Sequence, residues 1–357
     1  MSEETKRCKK CILPGSYPGI HFDEQGICSY CLAPVEGDRP TEEELKSKLD
    51  KIIQASRGKG KYDVAVGLSG GKDSSYVAYF LRKEYDLKIL GVNFDNGYRS
   101  EIAVRNMETL VDKLGIDLVT IRPNKKFMKK LYAHFLRKQG EFCSVCNNMG
   151  YLLMGSYMYG QKLLAGFMPL GVGGWSKKYE YQPGVSVTSM PYFFRNLGPE
   201  LLAELISQPF IEEKVVRSYM RLNDPRQAQI DTGEQKESHE HALGFIQLPD
   251  YVHWDLMKMP QILKKAVGWQ QPPNTHDSHF DCTLFPSKEY LKIKRYGLTQ
   301  ETIKNSVLIR EGLMTREEAL DRMKLEQTEE PADYQLFLKE LGLSREDVNQ
   351  EAEWSTR

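Results

Sequence analysis

Apolar residues recur along the first half of the chain in two alternating rhythms. Thr41 and the glutamates that follow open a helix. Thr41 is placed to cap, Glu44 falls at the third helical position, and Leu45, Leu49, Ile52 and Ile53 follow at helical spacing. The glycines at 58 and 60 end it. Tyr62-Asp-Val-Ala-Val-Gly-Leu68 then reads as a buried strand, and 74–83 as a helix. A strand over 87–94, a helix over 101–114, a strand over 117–122 and a helix over about 126–138 continue the series. Leu163-Leu-Ala165-Gly166 reads as the end of a later strand. Strand–helix alternation with such short loops predicts a parallel α/β sheet. From about 171 the pattern weakens: Gly171-Val-Gly-Gly-Trp175 reads as a turn and 223–242 as a polar loop. The tail, 299–347, is helical again, with a capping box at Thr315-Arg-Glu-Glu318 opening a helix to about Lys324. No internal repeat is visible. The expected division is 1–40, 41–200 and a mostly helical 201–357.

Composition narrows the class. A chain of 357 residues, 40% hydrophobic, can bury the core of one large domain or two ordinary ones. There is no run of about 18 apolar residues to span a bilayer. The N-terminal charges are not followed by the apolar stretch of a signal peptide, so a cytoplasmic location is expected. Lys plus Arg equals Asp plus Glu, at 49 each. Proteins that hold long nucleic acids usually carry a basic excess, which makes tRNA the less favoured partner. Seven cysteines, six of them in pairs, point to metal or redox chemistry rather than disulfides.

The most informative stretch is Val64-Ala-Val-Gly-Leu-Ser69-Gly70-Gly71-Lys72-Asp73-Ser74-Ser75. A strand of small residues runs into two glycines and then a helix. Glycines let the backbone approach an anion, and amides at the helix N-terminus point at it. Ser69 and Ser74 add hydroxyls, Lys72 adds a positive charge, and Asp73 is placed to hold magnesium against phosphates. The order Ser-Gly-Gly-Lys-Asp-Ser resembles the PP-loop of the ATP pyrophosphatase superfamily. It is not the P-loop of kinases and GTPases, which has a longer glycine spacing. The resemblance implies a Rossmann-like sheet of the adenine nucleotide alpha hydrolase kind. It also implies ATP as substrate, with the strand ends at Asp95 and Gly166 holding adenine and ribose.

Cys8-Lys-Lys-Cys11 and Cys28-Ser-Tyr-Cys31 are two Cys-x-x-Cys knuckles 16 residues apart. Four thiolates close a tetrahedral zinc site with no open position, which makes it structural. Residues 1–40 are too few to bury a core, so zinc removal is expected to unfold them.

Cys8-Lys-Lys-Cys-Ile-Leu-Pro14 and Pro18-Gly-Ile-His-Phe-Asp23, continuing to Cys31, look like the opening of the N-acetyl sugar amidotransferase family. Tyr290-Leu-Lys-Ile-Lys-Arg-Tyr-Gly297 and Ile309-Arg-Glu-Gly312, continuing to Ala319, match its C-terminal part. The resemblance is strong at both ends and weak between 140 and 285. It implies adenylation of an acetamido oxygen on a sugar, displacement of AMP by ammonia, and a place in surface polysaccharide or sugar biosynthesis. The ammonia would come from a separate glutaminase partner with a channel. A homodimer is left open.

One constellation departs from that family. Glu141-Phe-Cys143-Ser-Val-Cys146, with the distant Cys282, resembles the tRNA thiolation enzymes. There, three thiolates hold a [4Fe-4S] cluster whose fourth iron binds sulfide. A persulfide-carrying pair, three unconnected buried cysteines, or a second zinc site with His276 or His279 are the alternatives. Sulfurs more than about 7 Å apart would remove the cluster reading. Convergence beside the phosphate loop would favour sulfur over nitrogen transfer. Elsewhere, His253-Trp-Asp255 is a candidate for shaping a substrate pocket and Arg195 for meeting an anion, while Arg137 and Lys138 read as a solvated helix end. The sequence therefore ranks sugar amidotransferase first and sulfurtransferase second. A nucleotide-sensing scaffold comes third, and the intact Lys72-Asp73 argues against it.

Overall fold

The computed structural model describes residues 6–17, 19–33, 41–168, 190–221, 244–255, 258–272, 280–310, 312, 314–324 and 329–349. The expected turn at 171–175, the polar stretch 223–242 and the two histidines His276 and His279 lie outside the described residues. In chain order the elements begin with α1 (Ser29–Leu32), α2 (Glu42–Ser56), β1 (Val64–Gly67), α3 (Lys72–Tyr85), β2 (Ile89–Phe94) and α4 (Glu101–Leu114). Then come β3 (Asp117–Ile121), α5 (Lys125–Gln139), α6 (Cys143–Gly160), β4 (Ala165–Met168), α7 (Met190–Leu197), α8 (Pro199–Ile206) and α9 (Glu213–Arg221). The last are β5 (Gly244–Gln247), α10 (Lys258–Val267), α11 (Phe285–Tyr296), α12 (Gln300–Arg310), α13 (Arg316–Met323) and α14 (Ala332–Leu341).

Local sequence accounts for most of these boundaries. Both capping boxes form, Thr41 with Glu44 and Thr315 with Glu318, each satisfying two orphan amides. The five strands are all parallel, in the order β3-β2-β1-β4-β5. The two-residue strand period sorts their side chains. Val64, Val66 and Ile89 pack with residues of α2, α3, α4 and α10, and Ala65, Leu90, Val92 and Phe94 with residues of α5 and α6. The sheet is therefore covered on both faces, as a parallel sheet requires. Its order reverses between β1 and β4, and ligands of such sheets bind at the carboxyl ends beside that point.

Two elements differ from the expectation. β5 comes from the segment read as mostly helical, and its four residues are too few for an alternation to register. α6 runs 18 residues with buried positions on all sides, so no apolar stripe announces it.

Residues 6–33 do lack a core of their own, and they borrow one from the far end of the chain. Cys8, Cys11, Leu13, Tyr17 and Cys28 pack with Leu298 and Ile303, and Ile12 packs with Leu308, Met314 and Ala319. Arg316 Nε donates to the carbonyls of Cys8 and Cys11, at 3.3 and 3.0 Å. Among the described residues no helix is long and apolar enough to cross a membrane.

Candidate active site at the carboxyl edge of the sheet

The phosphate loop leaves β1 and folds onto itself before α3 begins. Ser69 N donates to Ser74 Oγ at 3.1 Å, Gly71 N to Ser69 Oγ at 3.3 Å, and Ser74 Oγ to Gly71 O at 3.2 Å. Gly70 has φ +78, and a side chain there would collide with the backbone of Ala103 on α4. Only glycine meets both demands. Gly71 caps α3 with no side-chain bond, leaving the first-turn amides to face whatever the loop binds. Lys72 is buried, and its Nζ meets Asp73 Oδ1 at 2.7 Å. Ser75 Oγ is buried without a protein partner. A carboxylate at the first helical turn beside buried phosphate donors suits magnesium, which takes one or two carboxylates plus phosphate oxygens.

Three residues hold this loop, of which the sequence singles out only Trp254, within His253-Trp-Asp255, and for another role. Trp269 Nε1 and Asn106 Nδ2 both donate to Gly70 O, at 3.1 and 3.2 Å. Trp254 Nε1 donates to Asp73 Oδ1 at 3.1 Å. His253-Trp-Asp255, read only as a pocket-shaping candidate, thus reaches the loop through its middle residue, while His253 is exposed. No local pattern reveals such contacts, because they join positions 36, 181 and 199 residues apart.

Asp95 lies at the carboxyl end of β2, as expected. Its carboxylate already accepts from Gly97 N at 2.8 Å and Arg122 Nε at 2.7 Å. Gly166 requires a correction. It is the second residue of β4, paired with Ala65, and not the strand's carboxyl end. A side chain there would strike Met154 and Met158 of α6, so close helix–sheet packing explains the glycine. Arg195, Arg137 and Lys138 are exposed on α7 and α5.

Two of the second group of cysteines meet past the carboxyl end of β2. Asn96, just past β2, points its Nδ2 at Cys146 Sγ and at Cys282 Sγ, 3.5 Å from each. The two sulfurs are therefore at most twice that distance apart. Tyr98 N holds the Asn96 side chain by donating to its Oδ1 at 2.9 Å. Tyr132 OH lies 3.2 Å from Cys146 Sγ. Cys143 sits one turn before Cys146 on α6 and is electrostatically coupled to both other thiols. The neighbouring Asp281 bonds Arg99 at 3.3 Å, and its Oδ2 would lie 3.5 Å from a Cβ on Gly71. Cys146 of α6 and Cys282 before α11 thus meet at Asn96, at the carboxyl end of β2, and Asp281 beside Cys282 reaches the phosphate loop.

Burial pushes the Cys143 thiol well above its ordinary range, and burial with Cys282 pushes Cys146 up to about 11. Burial also raises Cys282. Lys288 opposes this at Cys143, and Arg99 at Cys146 and Cys282. Protonated thiols in such a setting are poor nucleophiles until a metal or a cationic neighbour displaces the proton. Among the described residues, only Cys8, Cys11, Cys28 and Cys31 bring three or more metal-binding side chains within 4.8 Å of one another. Two bonds of about 2.3 Å span at most about 4.6 Å, so the triad as it stands is too open for one ion to join all three sulfurs. Three half-buried thiols with cationic neighbours fit a larger, anionic centre such as an iron–sulfur cluster.

The N-terminal four contrast with this. Cys8 Sγ lies 3.9 Å from Cys31 Sγ, and Cys11 Sγ 3.7 Å from Cys28 Sγ. A tetrahedron of 2.3 Å zinc–sulfur bonds has edges of about 3.8 Å. Amides of Cys11 and Cys28 donate to Cys8 Sγ, and Arg310 to Cys11 Sγ, stabilising thiolate charge.

Comparison with known proteins matches the loop-bearing domain and the C-terminal region. The NAD synthase family profile matches residues 43–149, which contain the loop, and a profile described as the LPS biosynthesis protein WbpG-like C-terminal domain matches residues 278–354. A GMP synthase (glutamine-hydrolyzing) of Lactococcus lactis is 35% identical over 89 residues, 24% of this chain and 17% of that one. A tRNA-specific 2-thiouridylase of Chlamydia trachomatis is 31% identical over 83 residues, 21% of this chain and 23% of that one. An uncharacterized protein of Methanocaldococcus jannaschii is 25% identical over 145 residues, 40% of this chain and 51% of that one. The matches thus span about half or less of these curated relatives. Among solved structures, the U34-tRNA thiolase NcsA of Methanococcus maripaludis with its [4Fe-4S] cluster aligns over 87% of this chain and 88% of that one. Its TM-score is 0.35 and its identity 16%. Residues 43–149 are thus an NAD synthase-type domain with a PP-loop on a five-stranded parallel sheet. Residues 278–354, behind it, match a WbpG-like C-terminal domain.

Proposed function

We propose that the chain uses ATP to adenylate a carbonyl oxygen of its acceptor, and then replaces that oxygen with sulfur presented at Cys143, Cys146 and Cys282. The observation that carries this reading is the shared contact of Asn96 Nδ2 with the sulfurs of Cys146 and Cys282, at the carboxyl end of β2. On that contact we place sulfur transfer ahead of the nitrogen transfer that the sequence ranked first.

In the first step the acceptor oxygen attacks the α-phosphorus, the Pα–O–Pβ bond breaks, and pyrophosphate leaves. Loop amides and Lys72 stabilise the charge that develops, and Asp73 would hold magnesium. In the second step sulfur attacks the activated carbon, the C–O bond breaks, and AMP leaves with the oxygen. Cys143, Cys146 and Cys282 would hold a [4Fe-4S] cluster, which when bound supplies an open iron for sulfide. Asn96 and Tyr132 orient the sulfurs, and Arg99 and Lys288 balance their negative charge. Cys8, Cys11, Cys28 and Cys31 would bind zinc and hold the N-terminal segment on α12 and α13.

One observation favours a second reading. The WbpG-like match over 278–354 supports nitrogen transfer to an acetamido sugar, with ammonia from a separate glutaminase. Anaerobic purification separates the two. Sulfur transfer predicts a brown protein with broad absorbance near about 400 nm, iron and acid-labile sulfide, all lost in Cys146→Ser. A colourless protein whose Cys146→Ser variant still makes product with supplied ammonia would replace this reading with the second.

A further inference from the structure

α10 and the two tryptophans beside it reach the phosphate loop from the second half of the chain. Trp269 fixes the backbone at Gly70, and Trp254 reaches a side chain, Asp73. Trp254 is 9% exposed and meets Tyr76 edge-on, with centroids 5.3 Å apart at 83°. Tyr76 lies one turn after Asp73 on α3, the helix that α10 packs against. The indole is therefore held in place independently of its hydrogen bond.

Asp73 Oδ1 accepts from a flexible donor, Lys72 Nζ at 2.7 Å, and a rigid one, Trp254 Nε1 at 3.1 Å. The difference between the two donors matters. Lysine brings a full positive charge on a four-carbon stem and competes with any cation for the carboxylate. An indole N–H orients the same oxygen while leaving its negative charge in place.

We propose that Trp254 is a positioning residue, whose indole N–H fixes the Asp73 carboxylate for the divalent cation that accompanies ATP. This rests on the reading of Asp73 as the magnesium residue, so its test separates the two claims. Nothing in the sequence around Trp254 marks it for this role; its place against α3 does.

The experiment titrates the full chain with Mn2+ in the presence of a non-hydrolysable ATP analogue, reading free Mn2+ by electron paramagnetic resonance. Trp254→Phe keeps the ring against Tyr76 and removes only the donor. Loss of one hydrogen bond to a charged group predicts Mn2+ binding about tenfold weaker. Binding of the analogue without metal is expected to change less than twofold. Trp254→His restores a ring N–H and is expected to recover part of the loss. Asp73→Asn is expected to abolish Mn2+ binding. Wild-type Mn2+ affinity in Trp254→Phe, with Asp73→Asn defective, would overturn the proposal and leave the magnesium assignment standing. Wild-type affinity in both would overturn both. A measurement on the unaltered chain keeps the test open if Trp254→Phe does not fold. Mn2+ added with the analogue should quench tryptophan fluorescence, since a paramagnetic ion on Asp73 sits beside the indole. Absence of quenching at saturating Mn2+ would overturn the proposal.

Discussion

The two cysteine centres of this chain are built on opposite plans. Cys8, Cys11, Cys28 and Cys31 lie within one short segment, close to tetrahedral edge lengths, and leave no position open. Cys143, Cys146 and Cys282 come from two segments more than a hundred residues apart and stand further from one another, with Cys146 and Cys282 at Asn96 on the carboxyl edge of the sheet. The first centre holds a segment that has too little apolar surface to fold alone. The second has wider spacing and cationic neighbours, Lys288 at Cys143 and Arg99 at Cys146 and Cys282, which is what the proposed reaction there would need. Spacing in sequence follows from this: a structural metal can organise its own loop, whereas a reactive centre needs walls supplied by a finished fold.

Removing metal from the first centre should have the largest effect on structure. Apparent zinc binding in small fingers is worth about 10–16 kcal/mol, which is folding free energy for the segment. In Cys28→Ser with Cys31→Ser, metal analysis should find zinc absent. Hydrogen exchange should find residues 6–33 unprotected, while ATP still binds. Stoichiometric zinc in that variant would place the ligands elsewhere.

Lys72→Ala and Asp73→Ala test the phosphate loop itself. Each should lower pyrophosphate release at least about a thousandfold, near 4 kcal/mol of transition-state stabilisation, with unchanged circular dichroism. Wild-type turnover in either would break the assignment of the loop.

The contrast between the centres sharpens with serine substitutions at the triad. Cys146→Ser or Cys282→Ser should lower product formation at least about a hundredfold and leave ATP binding intact, since serine is a poor iron ligand. Asn96→Ala should act more weakly, about tenfold, because it removes one donor shared by two sulfurs. The redox potential or absorbance of the centre would report that change.

The smallest expected effect lies in the shelf of rings behind Cys146. Tyr98 and Tyr132 meet edge-on, Phe337 touches both, and Tyr98 OH donates to Glu340 at 3.0 Å. Lys125 first, and then Tyr98 despite partial burial, hold the Glu340 carboxyl below its ordinary range. A depressed carboxylate contributes stability above the unfolded-state value, and the contribution is lost as pH falls through the folded one. Glu340→Gln should therefore cost under about 1 kcal/mol at pH 7 and progressively less as pH falls below the ordinary carboxylate range towards 3, read from urea midpoints. A difference that persists at pH 3 would mean that packing, and not the charge, is what Glu340 supplies.

What was legible in the sequence was local. The strands and helices between 41 and 139, both capping boxes, the glycine pair of the loop and the four-cysteine knuckle each depend on neighbours within a turn or a loop. Hydrogen-bond geometry and side-chain period write such features directly into residue order. The tertiary structure alone decided the rest. It seated the knuckle on α12 and α13, moved Gly166 from a ligand-binding edge to a packing contact with α6, and drew a fifth strand from the C-terminal half. It also brought Trp254, Trp269 and Asn106 to the loop, and Asn96 between two distant sulfurs. These contacts are fixed by how two covered faces of a sheet and the helices over them fill space. A single chain read in order carries no periodic signal of which remote side chains will meet.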